Sequence, residues 1–83
     1  MKTISVLGAT GSIGDSTLDV VARHPDRYRV YALSAHRNVD KLLTLAVQHR
    51  PEVLAVSDAQ AAAGFEARLR EAGVKARLAV GPD

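Results

Sequence analysis

The stretch Leu7-Gly8-Ala9-Thr10-Gly11-Ser12-Ile13-Gly14 stands between an apolar run, Ile4 to Leu7, and a helix signal that continues from Ser16 to Arg23. Glycines at every third position let the chain turn sharply at Gly8, bring bare backbone forward at Gly11, and pack a helix tightly against the preceding strand at Gly14. A helix that starts near Ser12 directs its unpaired N–H groups at whatever lies before the loop, and an anion satisfies them. This is the pattern of a dinucleotide phosphate loop. Its spacing is looser than the usual G-x-G-x-x-G, so a plain strand-to-helix turn is the competing reading. The strand before and the helix after favour the phosphate loop.

Four β-rich runs follow one another along the chain: Ile4 to Leu7, Arg29 to Ser34, Val53 to Val56 and Arg77 to Val80, beginning about 24 residues apart. That rhythm predicts β-α-β-α-β-α-β. The first intervening helix presents Ile13, Thr17, Val20 and Val21 on one face and ends at His24-Pro25. The second presents Val39, Leu42, Leu43, Ala46 and Val47, with Asn38 as its N-cap and Pro51 beyond its end. The third starts at a capping-box pattern, Ser57-Asp58-Ala59-Gln60, and runs through Phe65 and Leu69 to Gly73, weakened by Gly64 in its interior. Apolar strands such as Val53-Leu54-Ala55-Val56 predict a parallel sheet with helices on both faces, a Rossmann-like doubly wound α/β fold with the first strand at its centre.

Composition narrows the classes. Only 83 residues make one small domain with a modest core, built from Val, Leu, Ile and Ala because the chain has one Phe and two Tyr. A net charge of +2 comes from Lys and Arg scattered between Lys2 and Arg77, which argues against a nucleic-acid arm. The absence of cysteine rules out disulfides and thiolate zinc sites. No apolar run reaches the length of a signal-peptide core or a membrane span, so a soluble cytoplasmic domain is the expectation.

The segment after the second strand, Ser34-Ala35-His36-Arg37-Asn38, carries the most chemistry. An NAD site normally has Asp or Glu there, accepting hydrogen bonds from the adenosine ribose. Here Ser34 stands at the strand end, and no acid occurs before Asp40. A guanidinium grips a phosphate through paired hydrogen bonds, and the missing carboxylate removes a repulsion. Arg37 therefore points to NADPH rather than NADH, against the alternative of a solvated surface arginine. Asn38 is expected to cap the second helix and to meet the cofactor; for His36, a ring beside the adenine and a neutral loop histidine predict the same sequence. Asp15 and Asp19 read as acids favoured near a helix start, and His24, His36 and His49 lack paired metal-ligand spacing. No catalytic set of nucleophile, base and oxyanion donors emerges.

The run Gly8-Ala9-Thr10-Gly11-Ser12-Ile13-Gly14-Asp15-Ser16-Thr17-Leu18-Asp19-Val20-Val21, with His24-Pro25, Tyr28-Arg29-Val30 and Ala35-His36-Arg37-Asn38-Val39, closely resembles the N-terminus of the 1-deoxy-D-xylulose 5-phosphate reductoisomerase family. The resemblance is strong to about Asn38 and looser beyond it. It implies an NADPH-binding region in which Thr10, Gly11, Ser12 and Ile13 meet the pyrophosphate, and His36, Arg37 and Asn38 meet the 2′-phosphate side of the adenosine. Many relatives have Gly and Lys where this chain has His36 and Arg37; Arg keeps the charge and His adds bulk. The resemblance also implies a sugar-phosphate substrate, a homodimer, and a divalent metal, Mg or Mn, held by carboxylates outside this chain. On that reading the chain is an N-terminal fragment, incomplete as a dinucleotide fold, ending at Gly81-Pro82-Asp83 with its fourth strand an exposed edge, and weakly stable alone. Two alternatives stand beside it. Another NADP-dependent oxidoreductase, such as a semialdehyde dehydrogenase with a G-A-T-G loop, shares the fold but not the S-I-G-D-S-T-L-D-V continuation. A non-catalytic nucleotide-binding module accounts for the missing catalytic residues.

Overall fold

The computed structural model describes residues 2–81. In chain order the elements are β1 (Lys2–Val6), α1 (Ser12–Arg23), β2 (Tyr28–Ala35), α2 (Val39–His49), β3 (Val53–Val56), α3 (Ala59–Ala62), α4 (Phe65–Glu71) and β4 (Arg77–Val80). The strands form one parallel sheet in the order β1-β2-β3-β4. The chain is therefore α/β with Rossmann-like alternation, as the sequence rhythm predicts. Pro82 and Asp83, on which the reading of the chain's end falls, lie outside the described residues.

Two expectations about the sheet are corrected. The first strand lies at an edge rather than at the centre, and the strand order never reverses within the described residues. Crossovers of constant hand that all step in one direction also place their helices on one face, not on both. Burial agrees. Cross-strand neighbours Val6, Leu33 and Leu54, and likewise Ala35 and Val56, are buried. On the opposite face Ala32, Ser34, Val53 and Ala55 are half-buried, and Ser5 and Ala79 are exposed. A register shift between Ile4 and Ser5 leaves Tyr31 unpaired in β2. The extra residue turns both Val30 and Leu33 inward, although they are an odd number of positions apart.

The helices differ from expectation where a single glycine decides. A Cβ on Gly14 would lie 2.5 Å from the Ala9 carbonyl oxygen, so α1 approaches the loop backbone more closely than any other residue permits. That contact turns Gly14, Leu18 and Val21 toward the sheet. The predicted face of Ile13, Thr17, Val20 and Val21 is wrong for Ile13 and Val20, which are exposed. Helix α2 follows prediction more closely: Asn38 caps it and Leu42 and Ala46 are buried, while Val47 lies outside the buried face. The single third helix is in fact two. Its N-cap is Asp58, not Ser57, and the chain breaks at Gly64, whose φ of +79° suits glycine and starts α4 afresh. The break lets Phe65 and Leu69 turn into the core beside Leu33, Leu42, Leu54 and Val56.

Gly14→Ala should destabilise the fold by about 3 kcal/mol, because the clash is with backbone and no rotamer relieves it. Chemical denaturation of the wild-type and variant proteins measures this, and a loss below about 1 kcal/mol would show that α1 shifts away at little cost.

Candidate functional site

Both chemistry-bearing loops emerge at the carboxyl ends of the strands, and Ser34 ties them together. Its hydroxyl accepts a hydrogen bond from the Gly8 N–H at 3.0 Å, and its carbonyl accepts one from the Ala9 N–H at 2.7 Å. Gly8 takes a φ of +65°, the turn the glycine spacing anticipates. The end of β2 thus holds the start of the glycine loop in place. An acidic residue at position 34 would accept hydrogen bonds from a bound ribose; this serine serves the loop instead.

The glycine loop then opens α1. Gly11 is the N-cap, and no side chain caps the helix there. By contrast, Asn38 accepts from the Lys41 N–H at 3.2 Å to cap α2, and Asp58 accepts from the Gln60 and Ala61 N–H groups to cap α3. The first turn of α1 is left with N–H donors suited to an anion. A Cβ on Gly11 would meet nothing closer than the Gly8 carbonyl oxygen at 3.5 Å, an ordinary contact. Packing within the chain therefore does not demand glycine there, whereas the close approach of a phosphate would. Thr10 is half-buried and Ser12 exposed, while Ile13 is 84% exposed, an apolar side chain in front of the loop rather than in the core.

His36, Arg37 and Asn38 are all exposed in the loop between β2 and α2. The His36 carbonyl accepts from the Asp58 N–H at 2.9 Å, which fixes the loop against the end of β3. Arg37 lies 3.6 Å through Nε from Asp58 Oδ2, an ion pair too long for a hydrogen bond, with its side chain 72% exposed. A solvated pair of that kind contributes little stability and leaves the guanidinium available for exchange. The capping role expected of Asn38 is present.

Three residues here escaped the sequence reading. In the sequence Ser34 registers only as a non-acid. Asp58, half-buried, supplies the ion partner of Arg37. Lys41 reaches from α2 to the glycine loop, its ammonium donating to Asp15 Oδ2 at 2.8 Å and to the Thr10 carbonyl at 3.3 Å. These long-range contacts carry no local sequence signal.

At the opposite pole, a cleft of about 470 Å³ lies among Val21, Pro25, Tyr28, Arg29, Gln48 and His49. It contains none of the site residues expected from sequence. Burial lowers the pKa of His49 below its ordinary value of 6.5. Arg29 lines the same cleft with its guanidinium paired to Glu52, and Asp15 and Asp19 line an adjoining groove that His49 also borders. Among the described residues, no three His, Asp or Glu side chains form a group able to hold a metal ion, and no helix is long and apolar enough to cross a membrane.

The unfolded chain takes up a proton at His49 at a higher pH than the folded one does. Stability should therefore fall as pH drops below about 6.5, until the folded imidazole also charges. His49→Gln should flatten that part of a pH series of unfolding midpoints; superimposable wild-type and variant profiles would contradict the assignment.

Comparison with known proteins bears on the whole chain. Residues 4–83 match the family model described as 1-deoxy-D-xylulose 5-phosphate reductoisomerase. Proteins of that name from Paraburkholderia xenovorans and Cupriavidus metallidurans are 60% and 59% identical to it over 81 residues, 98% of this chain. The chain spans only 20% and 21% of their lengths. Among solved structures, a DOX-P reductoisomerase in complex with NADPH, fosmidomycin and magnesium superposes over 98% of this chain and 20% of its own, with a TM-score of 0.92 and 40% identity. The Zymomonas mobilis 1-deoxy-D-xylulose 5-phosphate reductoisomerase in complex with NADPH gives a TM-score of 0.87 at 41% identity, over 96% of this chain and 21% of its own. The glycine loop, its uncapped helix and the Ser34 tether are thus features of a chain that belongs to the 1-deoxy-D-xylulose 5-phosphate reductoisomerase family.

Proposed function

We propose that this chain is the NADPH-binding region of a longer reductoisomerase that converts 1-deoxy-D-xylulose 5-phosphate to 2-C-methyl-D-erythritol 4-phosphate in non-mevalonate isoprenoid biosynthesis. The observation that carries the reading is the joining, through Ser34, of a glycine loop with an uncapped helix to a second loop that bears Arg37 and no acid. The first supplies donors for a pyrophosphate and the second a cation for a 2′-phosphate. NADPH in relatives of known structure supports the same cofactor here.

In this reading the backbone at Thr10, Gly11, Ser12 and Ile13 would hold the pyrophosphate. Arg37 exchanges its loose pair with Asp58 for the 2′-phosphate, and Asn38 and His36 border the adenosine. When bound, NADPH supplies the hydride for the reductive step. The residues described here would bind and orient it. The magnesium named with the relative supports a metal site in the remainder of the enzyme. The same reading includes a sugar-phosphate substrate, a cytoplasmic location and a homodimer, with no nucleic-acid partner. Another NADP-dependent oxidoreductase and a non-catalytic module are disfavoured by the family assignment.

Titration of the full-length reductoisomerase carrying this chain should give tighter binding of NADPH than NADH. Arg37→Ala should weaken NADPH binding by roughly 10- to 150-fold, the worth of a charged hydrogen bond, and leave NADH nearly unchanged. Equal affinity for the two cofactors in the parent, or an unaltered NADPH affinity in the variant, would refute the 2′-phosphate role.

A further inference from the structure

We propose that Lys41 is a positioning residue for the cofactor's pyrophosphate. It keeps the entrance of α1 electrostatically open to an anion and holds the glycine loop in its binding shape. The inference rests on the NADPH reading above and assigns a role outside the two loops that touch the cofactor there.

Lys41 lies in the first turn of α2, where its own backbone N–H is the group capped by Asn38. Its ammonium leaves that helix and lies within 2.8 Å of both Asp15 carboxylate oxygens and 3.3 Å from the Thr10 carbonyl. One residue thus joins three places: its backbone N–H the cap beside Arg37, and its side chain the middle of the glycine loop and the first turn of α1.

Asp15 explains why a cation is needed. An acid in the first turn of a helix interacts favourably with the helix dipole, and Asp15 occupies that position in α1. The same charge opposes any second anion drawn to the same N–H groups. A pyrophosphate at Gly11 to Ile13 would meet a carboxylate one turn away on the helix that is meant to attract it. The Lys41 ammonium cancels that charge. Its bond to the Thr10 carbonyl also draws that oxygen toward α2, which helps keep the N–H groups of the loop directed outward. The Lys41 side chain is 37% exposed and Asp15 53% exposed, so the pair is sheltered on one side only. Such pairs add little to stability, so their charge balance matters most to a ligand placed beside them.

The pyrophosphate is common to NADPH and NADH, and this separates Lys41 from Arg37. In the full-length reductoisomerase carrying this chain, Lys41→Met should raise both the dissociation constant measured by calorimetric titration and KM for each cofactor by a similar factor, about tenfold, the scale of one charge-assisted hydrogen bond. The preference for NADPH should be preserved, with kcat and the KM for the sugar phosphate unchanged. Lys41→Arg should restore most of the affinity. Adding Asp15→Asn to Lys41→Met should also recover much of it, which mere repair of a loosened fold would not do. Asp15→Asn alone leaves Lys41 uncompensated and should lower KM for both cofactors, so the sign remains testable even where Lys41→Met folds poorly. Unchanged KM values in Lys41→Met, a shift confined to NADPH, or weaker binding in Asp15→Asn would overturn the proposal. A parent enzyme that does not bind NADPH would instead refute the functional reading on which it rests.

Discussion

The contact between Gly14 and the backbone of Ala9 governs much of the rest. With no room for a Cβ, α1 comes down directly on the turn that leaves β1. This fixes the rotation of the helix and buries Leu18 and Val21. It also leaves Ile13 on the outside, in front of the glycine loop. The same approach aligns the start of α1 with the carboxyl ends of the strands, where the N–H groups of its first turn have no capping side chain. The set of free N–H donors at the loop is therefore a consequence of how closely helix and strand pack. Gly8 and Ser34 complete it, the one by supplying the turn and the other by holding that turn to β2.

The charges around the loops are arranged in compensated pairs. Arg37 stands by Asp58, and Lys41 by Asp15. The two pairs differ in what an incoming phosphate does to them. Arg37 is mostly solvated and loosely held, so leaving the carboxylate for a phosphate would cost it little. Lys41 is held by two elements at shorter distances, so it stays and shapes the loop. In the proposed function the first pair discriminates between cofactors and the second admits either. This division follows from exposure and geometry, although Arg and Lys at these positions look alike in a count of charges.

Features that depend on neighbours in the chain were legible in the sequence. The glycine loop, the Asn38 cap, the helix stop at His24-Pro25, the spans of β3 and β4, and the missing acid after β2 each follow from residues a few positions apart. Features set by distant contacts were not. The buried face of α1 is chosen by a backbone contact at Gly14, which periodicity does not register. Ser57 and Asp58 both suit a helix cap, and the hydrogen bond from the Asp58 N–H to the His36 carbonyl accompanies the choice of the second. Strand order follows from the direction of each crossover, to which the apolar pattern is blind, so that pattern does not distinguish a central β1 from the edge position it takes among the described residues. Lys41 and Ser34 act through bonds spanning 26 or more residues and carry no local signature. The missing acid points to Arg37, and the family resemblance adds Thr10, Gly11, Ser12 and Ile13 as candidate contacts.

The central claim is that the cofactor is held at the loop end of the sheet rather than in the cleft around His49. Hydrogen exchange of the full-length enzyme with and without NADPH tests it most directly, because binding slows exchange of the amides it covers. The account predicts protection concentrated in residues 8–14 and 34–41, with residues 21–30 and 48–52 unchanged. Protection centred on the latter segments, with the glycine loop exchanging as fast as before, would contradict it.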